Sequence, residues 1–144
     1  MFYKYENYLR EKSYFQPLPI EDLFNNNEST KFTIEHIVAQ SNIEEQRIIT
    51  KKLQLRINTD DDKFKKEYLH SIGNLTLDPK SSNSSKGKKD VEDKTKEYFV
   101  YAPLMCQNEL IDYNVGKNKN EWTIESINKR KENILKFIKE TFII

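Results

Sequence analysis

A chain of 144 residues has room for one hydrophobic core, and at that length folding buries roughly 68–70% of the unfolded surface, enough to stand without staples. Its 36% hydrophobic and 33% charged residues, with a mean hydropathy of −0.85, would suit disorder, but eight Phe, eight Tyr and one Trp supply core anchors. One cysteine excludes an internal disulfide, and with two histidines it cannot complete a four-ligand Cys/His zinc site.

In chain order, Phe2, Tyr5, Tyr8 and Leu9 share one face of a helix predicted over 2–13, with Lys4, Glu6, Arg10 and Glu11 mostly elsewhere. An amphipathic helix opening at residue 2 is expected of a piece of a longer protein or of a subunit that needs a partner. Pro17 and Pro19 break the pattern, and the Asn run 25–27 with Ser29 reads as a loop. Residues 32–38, partly β-branched and apolar at alternate positions, predict a strand. Helices are expected over 43–57 and over 61–69, the second opened by the acidic cluster 60–62.

Residues 72–77 predict the second strand, with Leu75 and Leu77 on one face and Asn74 and Thr76 on the other. Gly73 is expected to supply an unusual dihedral ahead of it. Asp78-Pro79 reads as a helix start, a helix that would carry Asn83 and Lys86 before Gly87. A further helix is predicted over 90–101. Thr123 then caps a long terminal helix with Ile127, Ile134, Leu135, Ile138 and Phe142 as its apolar face. No segment resembles a membrane span or a secretion signal, since the longest apolar run, 99–106, contains Pro103 and a span needs about 20 residues. A reducing, cytoplasmic setting is expected.

Glu35-His36 is the sharpest local feature. A carboxylate beside an imidazole can place a hard cation and a general base together. Adjacent strand side chains point to opposite faces, so the backbone must twist or leave the strand there. By itself the pair is a weak signal, since a lone His-Ile-Val is more often a structural histidine in a strand. Asn83 offers an amide oxygen that could complete a cation site begun at Glu35, or it is an ordinary helix-surface residue. Asn74 is a turn residue or a brace for the loop that carries His36. His70 is assigned to scaffold, pinning the strand before Gly73. Cys106, in an apolar context, reads as a buried structural thiol. No phosphate-binding loop or dinucleotide fingerprint is present.

The net charge of +1 divides unevenly. Residues 1–79 carry 11 Lys/Arg against 13 Asp/Glu, and residues 80–144 carry 13 against 10. Lys80, Lys86, Lys88 and Lys89 precede the first acid at Asp90. Such a cluster is a solvated face or a phosphate-binding one.

Together, Ile34-Glu35-His36-Ile37-Val38-Ala39-Gln40, then His70-Ser71-Ile72-Gly73-Asn74-Leu75-Thr76-Leu77, then Asn83 and Lys86, resemble the HNH nuclease motif. In particular the pattern is similar to the C-terminal HNH domain of GmrSD-type, modification-dependent restriction proteins. Lys94, Tyr98, Trp122-Thr123, Ile127, Arg130, Leu135 and the lead-in Tyr5-Glu6-Asn7-Tyr8-Leu9 extend the likeness over nearly the whole chain. Ala39 departs from the family's usual proline and Val91 from a bulkier aromatic.

The resemblance implies one α+β, mostly helical nuclease domain over 1–144, with a ββα-metal core embedded in surrounding helices. Residues 1–30 would form the lead-in helix and loop, 31–90 the core, and 91–144 the C-terminal helices. It further implies a one-metal phosphodiesterase acting on DNA, with RNA as an alternative substrate. His36 would be the general base, Asn74 the residue that orients its loop, and Glu35 and Asn83 the ligands of one Mg²⁺, or Mn²⁺ in its place. Lys86, Lys88, Lys89, Lys94 and Arg130 would bind backbone phosphates. The expected partner is an N-terminal nucleotide-handling restriction domain or subunit. Two other readings stay open: a nucleic-acid-binding module with a weak or dead site, and a ribonuclease or toxin-like effector on the same fold.

Overall fold

The protein is described by a computed structural model at residues 1–24, 32–38, 61–79, 104–113 and 122–142. These residues form an α+β, mostly helical arrangement. The helix α1 spans Phe2–Lys12, α2 Glu21–Phe24 and the strand β1 Phe32–His36. Next, α3 (Asp61–Phe64) runs directly into a π-helical turn, Lys65–Leu69, followed by a 3₁₀ turn at Ile72–Asn74 and the strand β2, Leu75–Pro79. The last described elements are α4 (Met105–Asn108), a 3₁₀ turn at Glu109–Tyr113 and α5 (Ile124–Phe142). None of the described helices is long and apolar enough to cross a membrane.

The two strands pair antiparallel, with Ile34 opposite Leu77, Glu35 opposite Thr76 and His36 opposite Leu75. The second strand begins three residues later than the sequence pattern suggested, because Ile72–Asn74 wind into the 3₁₀ turn. Asp78 and Pro79 belong to β2 rather than to the start of a helix. Asp78 is fully buried there and accepts a hydrogen bond from Gln107 Nε2, so tertiary pairing outweighs its capping propensity. The predicted helices over 43–57, after β2 and over 90–101 lie outside the described residues, and with them the third member of a ββα unit.

Helix α1 buries Phe2 and Tyr5 as its pattern predicts, together with Glu6, which the sequence reading placed outside the apolar face. The Glu6 carboxylate accepts the backbone N–H groups of Met105 and Cys106, at 2.9 and 2.8 Å, and Arg10 Nε at 2.7 Å. It caps α4 from across the molecule, satisfying donors that a helix N-terminus leaves open. In α5 the cap is where the sequence puts it. Thr123 Oγ1 accepts from Ser126 N–H at 3.2 Å, while Ser126 Oγ accepts from Thr123 N–H at 3.1 Å.

The buried face of α5 differs from the expectation: it is Ile127, Arg130, Ile134 and Phe137, whereas Leu135 and Phe142 are 40% and 47% exposed. Helical spacing puts residue 130 in the middle of that face whatever its charge. The helix bridges two apolar clusters. Ile127 joins Ile37, Val38, Phe64, Leu69 and Trp122 in one, and Ile134 and Phe137 join Phe2, Tyr5 and Leu77 in the other. Gly73 lies against the α5 backbone, where a Cβ would come within 2.0 Å of the Ile127 carbonyl oxygen. Close approach, and not a left-handed dihedral, is what requires glycine at this position.

Candidate active site at the end of the first strand

The strand β1 stops at His36, and the chain bends over residues 37–38. Ile37 and Val38 are 1% and 2% exposed, so the pull of the core on two consecutive apolar side chains takes the backbone out of the sheet there. Asn74, wholly buried in the 3₁₀ turn, holds this bend with both ends of its amide. Its Oδ1 accepts Val38 N–H at 3.0 Å, and its Nδ2 donates to Leu69 O at 2.9 Å and to Val38 O at 3.4 Å. Its main-chain oxygen also accepts Ile37 N–H at 2.9 Å. An amide carries the donor and the acceptor that this position requires, and a carboxylate would lack the donor. Gly73, pressed onto α5, fixes the height at which Asn74 enters.

Glu35 points to the buried side of the sheet, 8% exposed and opposite Thr76, whose hydroxyl donates to Cys106 O at 3.1 Å. His36 follows it at the strand terminus, half-buried, where the bend begins. His70, expected to be scaffold, is instead exposed at the end of the π-helical turn. Its Nδ1 lies 3.1 Å from His36 Nε2, with the rings edge-on at 78° and their centroids 5.1 Å apart. A clue to this neighbour was present in the sequence. His70 precedes Gly73-Asn74 by one short turn, and antiparallel pairing of the two motif strands brings that turn to the His36 end.

Of the other expected site residues, Asn83, Lys86, Lys88, Lys89 and Lys94 lie outside the described residues. Arg130 is described, and its assignment to phosphate binding needs correcting. The side chain is 0% exposed. Its Nε donates to Glu109 Oε1 at 2.8 Å, one terminal nitrogen to Gly73 O at 3.2 Å and Leu75 O, and the other to Cys106 O at 3.4 Å. With its guanidinium so occupied, Arg130 is an internal strut beneath the Gly73–Leu75 turn.

Glu109 completes that strut, and the sequence reading passed it over. It accepts Tyr5 O–H at 2.7 Å besides Arg130. Burial pushes the Glu109 carboxyl above its ordinary value, against the pull of the Arg130 guanidinium, and burial together with Glu109 pushes the Tyr5 phenol up. Cys106 is fully buried, and loss of solvation drives its thiol far up, away from the thiolate that a nucleophile needs.

The arrangement can therefore present an imidazole at the strand terminus, next in sequence to a buried carboxylate and just ahead of a bend held by an amide. Among the described residues no group of three or more His, Cys, Asp or Glu is placed to hold a metal ion, and Glu35 is the described residue of the expected ligand pair. No match to a curated protein or to a solved structure was found. The family model of the C-terminal domain of GmrSD restriction endonucleases matches residues 2–137, from the first residue of α1 to the buried Phe137 of α5. With the match covering almost all of the chain, the protein belongs to the family of GmrSD restriction endonuclease C-terminal domains.

Proposed function

We propose that this chain is the cleavage module of a modification-dependent, phage-defence restriction system: a metal-dependent HNH-type endonuclease that hydrolyses DNA phosphodiester bonds. It would work in the cytoplasm beside a separate N-terminal nucleotide-handling domain or subunit. Membership of a restriction-endonuclease family supports a nuclease module of some kind. The observation that carries the finer reading is the end of β1, where Asn74 grips the two residues after His36. An imidazole meant to take a proton must be held still, and a buried amide bonded to the adjoining backbone does so.

In this mechanism neutral His36 takes a proton from the attacking water and directs it at phosphorus. Glu35 and Asn83 offer a carboxylate and an amide oxygen, a donor set that fits a hard divalent cation, Mg²⁺ or Mn²⁺. Bound there, such a cation would offset charge on the scissile phosphate and the leaving 3′-oxygen. Asn74 keeps the His36 bend in register with β2. The lysines at 86, 88, 89 and 94 hold backbone phosphates, giving affinity without sequence information.

Supercoiled plasmid incubated with the chain and Mg²⁺ is expected to be nicked, and nicking is expected to stop in EDTA. Glu35→Gln is expected to raise the Mg²⁺ concentration needed by about 10-fold or more. DNA binding with no metal-dependent nicking would replace the enzyme with a binding module. The lysine contacts have their own signature. Lys86→Ala should flatten the slope of log affinity against log salt by about 0.9, measured by fluorescence anisotropy on duplex DNA. An unchanged slope would remove Lys86 from the phosphate contacts.

A further inference from the structure

A groove runs along the outer side of α1. Residues 14–20 turn back beside the helix, tied to it by Tyr3 O–H and Asn7, which bond the backbone of Leu18. The groove is lined by Phe15, Pro17 and Ile20 from this returning segment, by Phe142 from α5, and by Lys4 and Glu11 from α1. Of eight large apolar side chains exposed among the described residues, five belong to this face: Met1, Tyr14, Phe15, Ile20 and Phe142. At roughly 150–250 Å² for a large side chain, their exposed fractions offer on the order of 600 Å² to solvent. A monomer rarely gathers more than a few hundred Å² of apolar surface in one place, and a stable interface takes about 800 Å² from each partner.

Tyr14 and the charges of α1 indicate what covers this face. The Tyr14 backbone is left-handed, at φ 61°, in the turn that ends α1, where Phe15 N–H bonds Arg10 O at 2.8 Å. Glycine is the usual residue in such a turn, because a side chain strains it. The Tyr14 ring is 99% exposed, so no contact among the described residues offsets that strain. The outer stripe of α1 carries Lys4 in the first turn and Glu11 in the last, each at the end that its charge disfavours. Lys4 rests on the Phe142 ring, 4.8 Å from the centroid, and among the described residues neither Lys4 nor Glu11 is in an ion pair.

Seven residues separate the two charges, about 10.5 Å along the helix. A second α1 laid antiparallel on the first, with the two-fold axis near Asn7 and Tyr8, sets each Lys4 against the other chain's Glu11. The same register carries each Tyr14 to the other chain's Met1, at the apolar end of the groove with Ile20 and Phe142.

We propose that this face is a two-fold interface with a second copy of the chain, α1 pairing antiparallel with its copy and Tyr14 entering the partner's groove. The inference stands apart from the nuclease reading, since it uses no residue of the candidate site.

Sedimentation of the 144-residue chain, without DNA or metal, should show the 17.2 kDa monomer in equilibrium with a dimer at micromolar concentrations. Tyr14→Gly relieves the backbone strain, so it should fold at least as well, yet it should weaken the dimer by about 10-fold or more. Lys4→Glu and Glu11→Lys each suit the helix dipole better and should also fold. Each alone brings like charges together and should weaken the dimer by about fivefold or more. The two exchanges combined restore opposite charges across the axis, and most of the affinity should return.

A chain that stays monomeric to about 1 mM would overturn the proposal and leave the groove to a different protein, such as the separate N-terminal domain or subunit. A dimer indifferent to Tyr14→Gly would overturn it too, as would a double exchange that dimerises no better than either single one.

Discussion

Replacing His36 by alanine is expected to slow metal-dependent plasmid nicking by about 10²–10⁴-fold, the usual worth of a positioned general base. The fold should survive the change. The bend after β1 is held by Asn74 through the backbone of residues 37 and 38, and by burial of their side chains, none of which involves the imidazole. DNA binding should survive as well, because the proposed phosphate contacts are lysines remote in sequence from His36. Single-turnover nicking at saturating enzyme separates the loss of chemistry from any loss of affinity. A variant that nicks at the wild-type rate would take His36 out of the mechanism. One that loses binding in parallel with rate would place His36 in DNA contact.

Replacing Arg130 by methionine is expected to cost about 3–5 kcal/mol of stability, the usual penalty for leaving one half of a buried ion pair without its partner. The methionine would fill much of the volume but strand the Glu109 carboxylate, which burial already pushes toward its neutral form. It would also remove the guanidinium donor from the carbonyl oxygens of Gly73 and Leu75, and one of two side-chain donors from that of Cys106, which keeps the Thr76 hydroxyl. For a domain of this size such a loss lowers the melting temperature by roughly 10 °C or more. Adding Glu109→Gln should recover part of it, because the stranded charge is then gone. The measurement also decides between two roles for Arg130. A surface phosphate contact would leave the melting temperature alone and flatten the salt dependence of DNA binding, and that outcome would contradict the internal strut.

The Arg130 case shows where a sequence stops being informative. Patterns set by nearest neighbours were legible: the helix at Phe2–Lys12, the Thr123 cap, and the strand from Phe32, which was expected to run on to residue 38 and stops at His36. Each depends on residues a few positions apart, whose geometry the backbone itself dictates. Where a polar side chain finds its partner is a different matter. Glu6 and Arg130 read as surface charges because burying an unpaired charge is prohibitive. Both are buried because partners arrive from 100 and 21 positions away, at Cys106 and Glu109.

The same distinction holds at the candidate site. The sequence by itself named Glu35, His36 and Asn74, since their residue types and spacing make up the motif. It misjudged Gly73, whose lack of a Cβ matters only because α5 packs on it, and it did not place His70 against His36, 34 positions earlier in the chain. It also placed Asp78-Pro79 at a helix start that the pairing of β1 with β2 overrides. Local propensities are worth a few tenths of a kcal/mol to about 1 kcal/mol, so sheet pairing and a buried hydrogen bond outvote them. Composition and periodicity thus determined several of the elements that form, and the motif resemblance singled out the candidate site residues. Tertiary structure decided which charges go inside and which imidazole faces which, because those outcomes depend on partners that only the folded chain brings together.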